Sequence, residues 1–374
     1  MRRINYLFFL SLLLFIAGCN KSVLDNDYMP STIIKVGLTE KIQTEKLSWS
    51  RYLDSALFVE LDTSAVVGQI EDCRYVKDAI YIRTKTEIFS YDTLGNLLLN
   101  FKRQGRGRGE YLTITAFDIN ESNGEISIYD NSVNKVFVYD DKGMYVRSFE
   151  LKNGQLARDM AVMTNKSYLF YTPDYMEHTS RGVWQTDSVG EGFKQLVSID
   201  PKFKYHMLCL ERVFYHLNGD TVALLGGVDH NFLYHISCDT VCVPLQLQVD
   251  IKIPKRIIRK YNGISSDEDL KSGKMYVTGP AFESERLFIT DVSNFQKRVT
   301  LIYDKSNGAC IQVRDEDDYD MSDTIFCPFS CCDNGVFLGW LDPNSVVSNE
   351  FLKNKFPNVT LNSNPIISIV KPKM

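Results

Sequence analysis

The chain has 374 residues, 44% of them apolar and 12% aromatic, with 42 lysines and arginines against 47 acids and a formal net charge of −5. That composition suits one large or two ordinary globular domains and excludes a disordered chain. An acidic protein with no global basic field is not built to collect nucleic acid, so none is expected as a partner.

In chain order, the first element is a leader. Arg2 and Arg3 precede an apolar run from Leu7 to Ile16, and Ile16-Ala17-Gly18-Cys19 sets small residues before a cysteine. This is the pattern of a bacterial lipoprotein signal. The run is too short to span ~30 Å of hydrocarbon as a permanent helix, which needs about 20 apolar residues. Residues 1–18 are therefore expected as a cleaved signal peptide, with Cys19 acylated and the membrane reached through that lipid. Losing Arg2 and Arg3 takes the basic residues from 42 to 40 against 47 acids. Residues 19–50 are polar without clear periodicity and read as a tether. Residues 51–374 are expected as the folded body.

The body contains an internal repeat. EIFSYDTLGNLLLNF (87–101) and KVFVYDDKGMYVRSFEL (135–151) share alternating apolar residues, Tyr-Asp, a glycine turn and a second alternating run. Weaker echoes lie at 183–199, 232–249 and 298–313, and each reads as a β-hairpin. Upstream of the hairpins lie further period-two strands at 73–84, 117–130 and 286–291. Four short strands at this spacing are the signature of a propeller blade. From Leu57 to Val370 the period leaves room for six. The last blade would draw on GVFLGWL (335–341) and PIISIV (365–370), and ALFVEL (56–61) would pair with it to close the ring, since an open ring leaves a strand edge unpaired. Residues 255–273 and 345–356 look helical and read as excursions on the rim. The fold expected is all-β, a six-bladed β-propeller with short helical excursions.

FVELDTSAVVGQI (58–70), GRGRGEY (105–111) and NSNPIISIVKPK (362–373) together resemble the six-bladed β-propeller lipoproteins of Bacteroides-type bacteria, relatives of NHL-repeat propellers. The resemblance covers nearly the whole chain after Cys19. It implies a propeller fold and a lipid-anchored place in the cell envelope, at the outer membrane on its periplasmic or surface face, and no general activity. In that family the first inter-blade loop runs G-x-G-P-G-E-Y, and Arg108 stands here where proline is typical.

That loop, KRQGRGRGEYL (102–112), is the first candidate site. A Rossmann or Walker loop needs a glycine turn between a strand and a helix, so that the helix N-terminus faces the phosphate. Here EYLTITAFDI continues as strand, and the glycine spacing fits neither motif. The loop reads as a corner, its glycines permitting positive φ between blades one and two, with Glu110 paired to one of the arginines. Arg103, Arg106 and Arg108 would still form a local positive patch suited to carboxylates, sulfates or phosphates. With Glu110 and Tyr111 they are the candidate ligand-binding residues.

No other motif carries chemistry. Cys238 and Cys242 flank a short turn that would bring their strands together, but Cys238-x3-Cys242 with Cys327-x3-Cys331 lacks the usual zinc spacing, and buried thiols behave as small hydrophobes. The acid-rich run 314–323 lacks the central glycine and terminal glutamate of a calcium loop. His206, His216, His230 and His235 lie close in sequence, yet the spacing of His230 and His235 puts them on opposite faces of a strand. No HExxH, G-x-S-x-G or Walker lysine occurs. No catalytic residue, metal or cofactor is assigned. Two functions remain: a lipid-anchored binding or scaffolding module for a glycan, peptide or partner protein, and a metal-dependent lactonase- or lyase-type propeller enzyme acting at the axial channel. Converging acids or histidines at the axis would favour the second, and Asp118, Asp159 and Asp291 lie near predicted inner strands.

Overall fold

The computed structural model describes residues 29–36, 48–152, 154–173, 180–198, 212–225, 232–238, 240–249, 276–277, 281–294, 297–313 and 329–374. The expected signal peptide, Cys19, His206, Cys209, His230, the helix expected at 255–273, the acid-rich run 314–323 and Cys327 lie outside these residues.

The chain forms a six-bladed β-propeller. Its first two strands, β1 (Thr32–Val36) and β2 (Leu53–Glu60), join blades completed much later. Blade 1 is β3 (Asp72–Val76), β4 (Ala79–Arg83), β5 (Ile88–Asp92) and β6 (Leu97–Phe101). Blade 2 is β7 (Ala116–Ile119), β8 (Ile126–Asp130), β9 (Lys135–Tyr139) and β10 (Tyr145–Glu150). Blade 3 is β11 (Asp159–Val162), β12 (Tyr168–Thr172), β13 (Gly182–Thr186) and β14 (Lys194–Ser198). Blade 4 is β15 (Tyr215–Asn218), β16 (Thr221–Leu225), β17 (Phe232–Ser237) and β18 (Thr240–Val249). In blade 5 the described inner-strand residues are β19 (Tyr276–Val277) and β20 (Phe282–Glu283), both paired with β21 (Leu287–Asn294), and β22 (Lys297–Asp304) and β23 (Ala309–Val313) follow. Blade 6 is β24 (Cys331–Asp333), β25 (Val336–Leu341) and β26 (Ile366–Pro372).

The ring closes as the pattern of apolar residues demands. β2 lies antiparallel to β26, with Val59 opposite Ile367 and Leu57 opposite Ile369, and becomes the outer strand of blade 6. The excursion predicted at 345–356 is two short helices, α1 (Pro343–Ser348) and α2 (Glu350–Lys355), capped by Asp342 and Asn349 side chains. They bury Val346 and Leu352 against blade 6. β1 departs from the expected tether. It pairs parallel with β18 and makes a fifth strand on blade 4, burying Ile34 among Leu245, Leu247 and residues of blade 5.

The repeat has a local cause. In the outer-hairpin turns of blades 1, 2 and 3, one aspartate oxygen accepts two backbone N–H bonds: Asp92 from Leu94 and Asn96, both at 2.9 Å, Asp140 from Lys142 and Met144 at 3.0 and 2.8 Å, and Asp187 from Val189 and Glu191 at 3.0 and 2.8 Å. The side chain thus stands in for a missing ladder partner. The tyrosine before it, Tyr91 or Tyr139, is fully buried. The glycine three residues after it has positive φ and packs on the outer strand of the preceding blade. At Gly95, φ is 87° and an added Cβ would stand 2.1 Å from the Glu60 carbonyl oxygen. Gly143 and Gly190 meet Phe101 and Phe149 in the same way.

The blade 5 turn separates the two demands on that glycine. Gly308 has φ of 72° but nothing within 4 Å of an added Cβ. Gly308→Ala is therefore expected to cost only the left-handed backbone penalty, about 1–2 kcal/mol. Gly95→Ala should cost more, because it also wedges two blades apart. Urea unfolding midpoints of the two variants check this, and equal losses would show that the glycine serves its turn alone.

Candidate functional site

The first strand of each blade lines the axis, and its axis-facing edge has no neighbouring strand. Backbone groups there must find other partners or remain unsatisfied in a dry interior. Charged side chains supply them. Asp118 on β7 accepts the Val162 N–H at 2.7 Å. Asp159 on β11 accepts the N–H groups of Val213 and Phe214 at 2.6 and 2.9 Å, leading into β15. Asp333 on β24 accepts those of Tyr75 and His216, both at 3.1 Å. Two guanidiniums serve the carbonyls: Arg74 donates to Phe117 O at 2.9 Å, and Arg212 to Cys73 O and Phe214 O at 2.7 and 2.8 Å.

The same groups neutralise one another. Arg74 Nε meets Asp118 at 3.0 Å and its Nη1 meets Asp72 at 2.7 Å, while Arg212 Nη2 meets Asp333 at 2.9 Å. His216 Nε2 lies 2.8 Å from the other oxygen of Asp118. Arg74 is 1% exposed, so its charge is held wholly by protein. Blades 4 and 6 also meet directly: Asn334 N–H donates to His216 O at 2.7 Å. At the edge of this contact Glu283 receives Tyr215 Oη at 3.0 Å, Lys305 Nζ at 2.6 Å and His235 Nε2 at 3.0 Å.

Electrostatics follow from that packing. Burial pushes the Asp118 carboxyl up, but His216 and then Arg74 outweigh it and hold it well below the usual carboxylate range. Burial pushes the His216 imidazole down, yet Asp118 beside it raises it on balance. Asp159 has backbone partners and a more distant Arg74, so burial prevails and its carboxyl is raised. Burial also pushes the thiols of Cys73, Cys331 and Cys332 up, Cys331 to about 11, which leaves them inert.

Asp118 and Asp159 thus converge at the axis, but with occupied oxygens. Asp291 lies on the second strand of blade 5 and accepts from Thr300 Oγ1. His216 and His235 each pair with an inner-strand carboxylate, Asp118 and Glu283. Cys238 and Cys242 are exposed free thiols at the β17–β18 turn, whereas Cys331 is buried at the axis. Among the described residues no three His, Cys, Asp or Glu side chains are grouped to hold an ion. Among the described residues the axial carboxylates spend their oxygens on N–H groups and cations, and the metal-centred alternative finds no support there. The sequence signal for this network was a charge inside an otherwise apolar inner strand, as in Asp72-Cys73-Arg74 and Phe117-Asp118-Ile119.

The glycine loop is a corner held from three sides. Tyr111 is fully buried, donates to Thr86 O at 2.8 Å and accepts the Arg103 N–H at 3.2 Å. Tyr139 of the next blade donates to Gly109 O at 3.0 Å, and Asp130 accepts the N–H of Leu112 at 2.6 Å. Glu110 holds the corner through backbone and not through an arginine, accepting the Gly107 N–H at 2.7 Å. Only Gly109 has positive φ, 73°, and it lies against the Tyr145 ring. At Gly105 an added Cβ would fall 2.0 Å from the Glu110 carboxylate, so a side chain there would have to displace that cap. Past Tyr111 the chain is irregular until β7, not continuous strand. Arg106 and Arg108 are exposed, as is Arg103, whose guanidinium touches Met144 sulfur at 3.8 Å.

Connections around the ring differ by face. On one face the strand-to-strand turns are short: 77–78, 120–125, 163–167, 219–220, 284–286 and 334–335. The opposite face carries the described inter-blade connections 61–71 and 102–115, together with the segment 342–365 that contains α1 and α2. The arginine corner belongs to this second face.

The chain belongs to the family described as Domain of unknown function (DUF4934), which matches residues 32–371. It is similar to the crystal structure of a protein of Bacteroides fragilis NCTC 9343 assigned as exported, with a TM-score of 0.73 and 15% identity over 92% of this chain and 100% of that one. It is also similar to a member of the DUF4221 family from Bacteroides vulgatus ATCC 8482, with a TM-score of 0.47 and 8% identity over 86% of this chain and 97% of that one. No curated protein matches the sequence. Identity this low bears on the fold alone.

Removing one partner from the axial network strands its neighbours. Asp118→Ala leaves His216 and the Val162 N–H without their acceptor and Arg74 with one carboxylate fewer, and it is expected to cost about 3–5 kcal/mol, read as a loss of urea midpoint. The pH dependence has a definite sign. The lowered Asp118 pKa gives stability that is complete above the unfolded value near ~3.9 and lost as pH falls through the folded one. The raised His216 pKa gives stability that is complete below ~6.5 and lost as pH rises through the folded one. The pair therefore supports the ring most between about pH 4 and 6.5. His216→Gln should abolish the part of the alkaline decline that sets in above about pH 6.5. An identical alkaline decline in wild type and variant would remove His216 as its source.

Proposed function

We propose that the protein is a lipid-anchored cell-envelope propeller that binds or scaffolds a ligand on its long-connection face. The ligand is a glycan, peptide or partner protein bearing carboxylate, sulfate or phosphate. The observation that carries this reading is the closed axis. With its carboxylates, guanidiniums and His216 joined to one another and to backbone, the described part of the centre keeps its charged groups engaged, so recognition falls to the surface. There Arg103, Arg106 and Arg108 present guanidinium forks on an otherwise acidic protein. Tyr111 and Glu110 fix the backbone under them, so the cations stand on a rigid corner and lose less entropy on binding.

The anchor is Cys19, the acylated first residue after a signal peptide of residues 1–18. The lipobox supports this, and the assigned export of the structurally similar Bacteroides fragilis protein fits it. No helix among the described residues is long and apolar enough to cross a membrane. The outer membrane is the place this reading assigns.

Replacing Arg106 and Arg108 with glutamine removes charge and keeps the backbone, so melting should be unchanged. Dextran sulfate, as a polyanionic probe, should bind the parent at low salt, weaken at high salt, and bind the double variant poorly at both. Neutral dextran is the control. Undiminished dextran sulfate binding by the double variant would exclude the patch. Separately, Cys19→Ala should abolish palmitate incorporation and release the protein from membranes, and a variant that stays labelled would exclude the anchor.

A further inference from the structure

β1 divides what the sequence presents as one long tether. Thr32 lies opposite Leu245 and Val36 opposite Val249, in parallel with β18, and Ser31 N–H donates to Val243 O at 3.1 Å. Ile34 is 5% exposed in the core between blades 4 and 5, whereas Ile33 is 55% exposed. This is strand addition with one side-chain anchor, made by the chain on its own longest outer strand.

Its direction matters. β18 starts at its turn with β17, and that turn lies on the short-turn face, as every turn between third and fourth strands does. Because β1 is parallel to β18 and its Thr32 end lies toward that turn, the chain enters blade 4 from the short-turn side. Had residues 19–47 been a free tether, the lipid at Cys19 would reach about 100 Å from the fold at ~3.3–3.6 Å per residue. With β1 in place, only residues 20–30 separate lipid and propeller, which allows about 40 Å.

We infer that β1 is an orienting latch: through it the lipid holds the outer edge of blade 4 and the short-turn face toward the bilayer, and turns the long-connection face outward. The inference rests on the anchor at Cys19 proposed above. The partner surface it assigns is the lipid bilayer, and the chemistry is geometric restraint rather than a headgroup site.

The two ends of β8 provide a comparison within one blade, since Asn123 and Ser132 are exposed on the short-turn and long-connection faces. A fluorescent amino acid is placed at Asn123 in one variant and at Ser132 in another. The full chain, purified from membranes, is reconstituted into phosphatidylethanolamine–phosphatidylglycerol vesicles carrying a headgroup nitroxide quencher. Asn123 should be quenched more than Ser132. Ile34→Asp, or replacement of residues 32–36 by Gly-Ser repeats, should remove that difference. In parallel, Ile33→Cys with Gln246→Cys should form a disulfide, found by peptide mass mapping, that preserves the difference. Equal quenching in the parent, stronger quenching at Ser132, or an unchanged difference after β1 is disrupted would overturn the latch. If palmitate is not incorporated, the anchor reading fails and the latch with it. That failure is recognisable because the engineered disulfide between positions 33 and 246 still forms while vesicle binding is absent.

Discussion

The structure depends on how the edges of its inner strands are satisfied where they meet at the axis. Strands converging on a point cannot pair with one another as a ladder, yet their N–H and C=O groups lose water when the centre packs. Asp118, Asp159 and Asp333 accept the N–H groups, and Arg74 and Arg212 donate to the carbonyls. Once charged groups take this role, their charges must balance, which brings Arg74 to Asp72 and Asp118, Arg212 to Asp333, and His216 to Asp118. Such a network is expensive to desolvate, and an apolar plug of equal volume would often be as stable. An apolar plug would leave the strand edges unsatisfied, however, so here the ions are tied to backbone geometry and specify which strand meets which.

The outer half of each blade was legible in the sequence, because its determinants are local. Tyr91, Asp92 and Gly95 lie within five residues and answer three nearby demands: a buried ring, a turn cap, and a glycine where the neighbouring blade comes close. The axis was not legible, because its partners are distant in sequence. Tyr75 and Asp333 are separated by most of the chain, and each is a single residue within an ordinary short strand. β1 was hidden for a different reason. Thr32-Ile33-Ile34-Lys35-Val36 is rich in β-branched residues, but it is only five residues long and its partner β18 lies more than two hundred residues away.

The loop at 102–112 shows how one reading can be right in outcome and incomplete in cause. Its glycines do serve a corner, but only Gly109 does so through positive φ. Gly105 yields space to a carboxylate that caps the loop from within, and this accounts for Glu110 without any arginine pair. The arginines are thereby freed from structural duty. The loop's rigidity comes from Tyr111, Tyr139 and Asp130, each of which bonds its backbone.

A closed axis also separates stability from recognition. The short-turn face is joined across blades by its own turns: Asn120 Nδ2 donates to Met163 O at 2.9 Å, and Asn334 Nδ2 to Tyr75 O at 2.9 Å. Changes there would propagate into neighbouring blades. On the other face the described connections vary widely in length, from 131–134 to 342–365. Length added to a surface connection costs little loop entropy, so that face is free to diversify without disturbing the ion network beneath it. β1, pairing parallel with β18, enters blade 4 from the short-turn side and so leaves the connections of the other face clear.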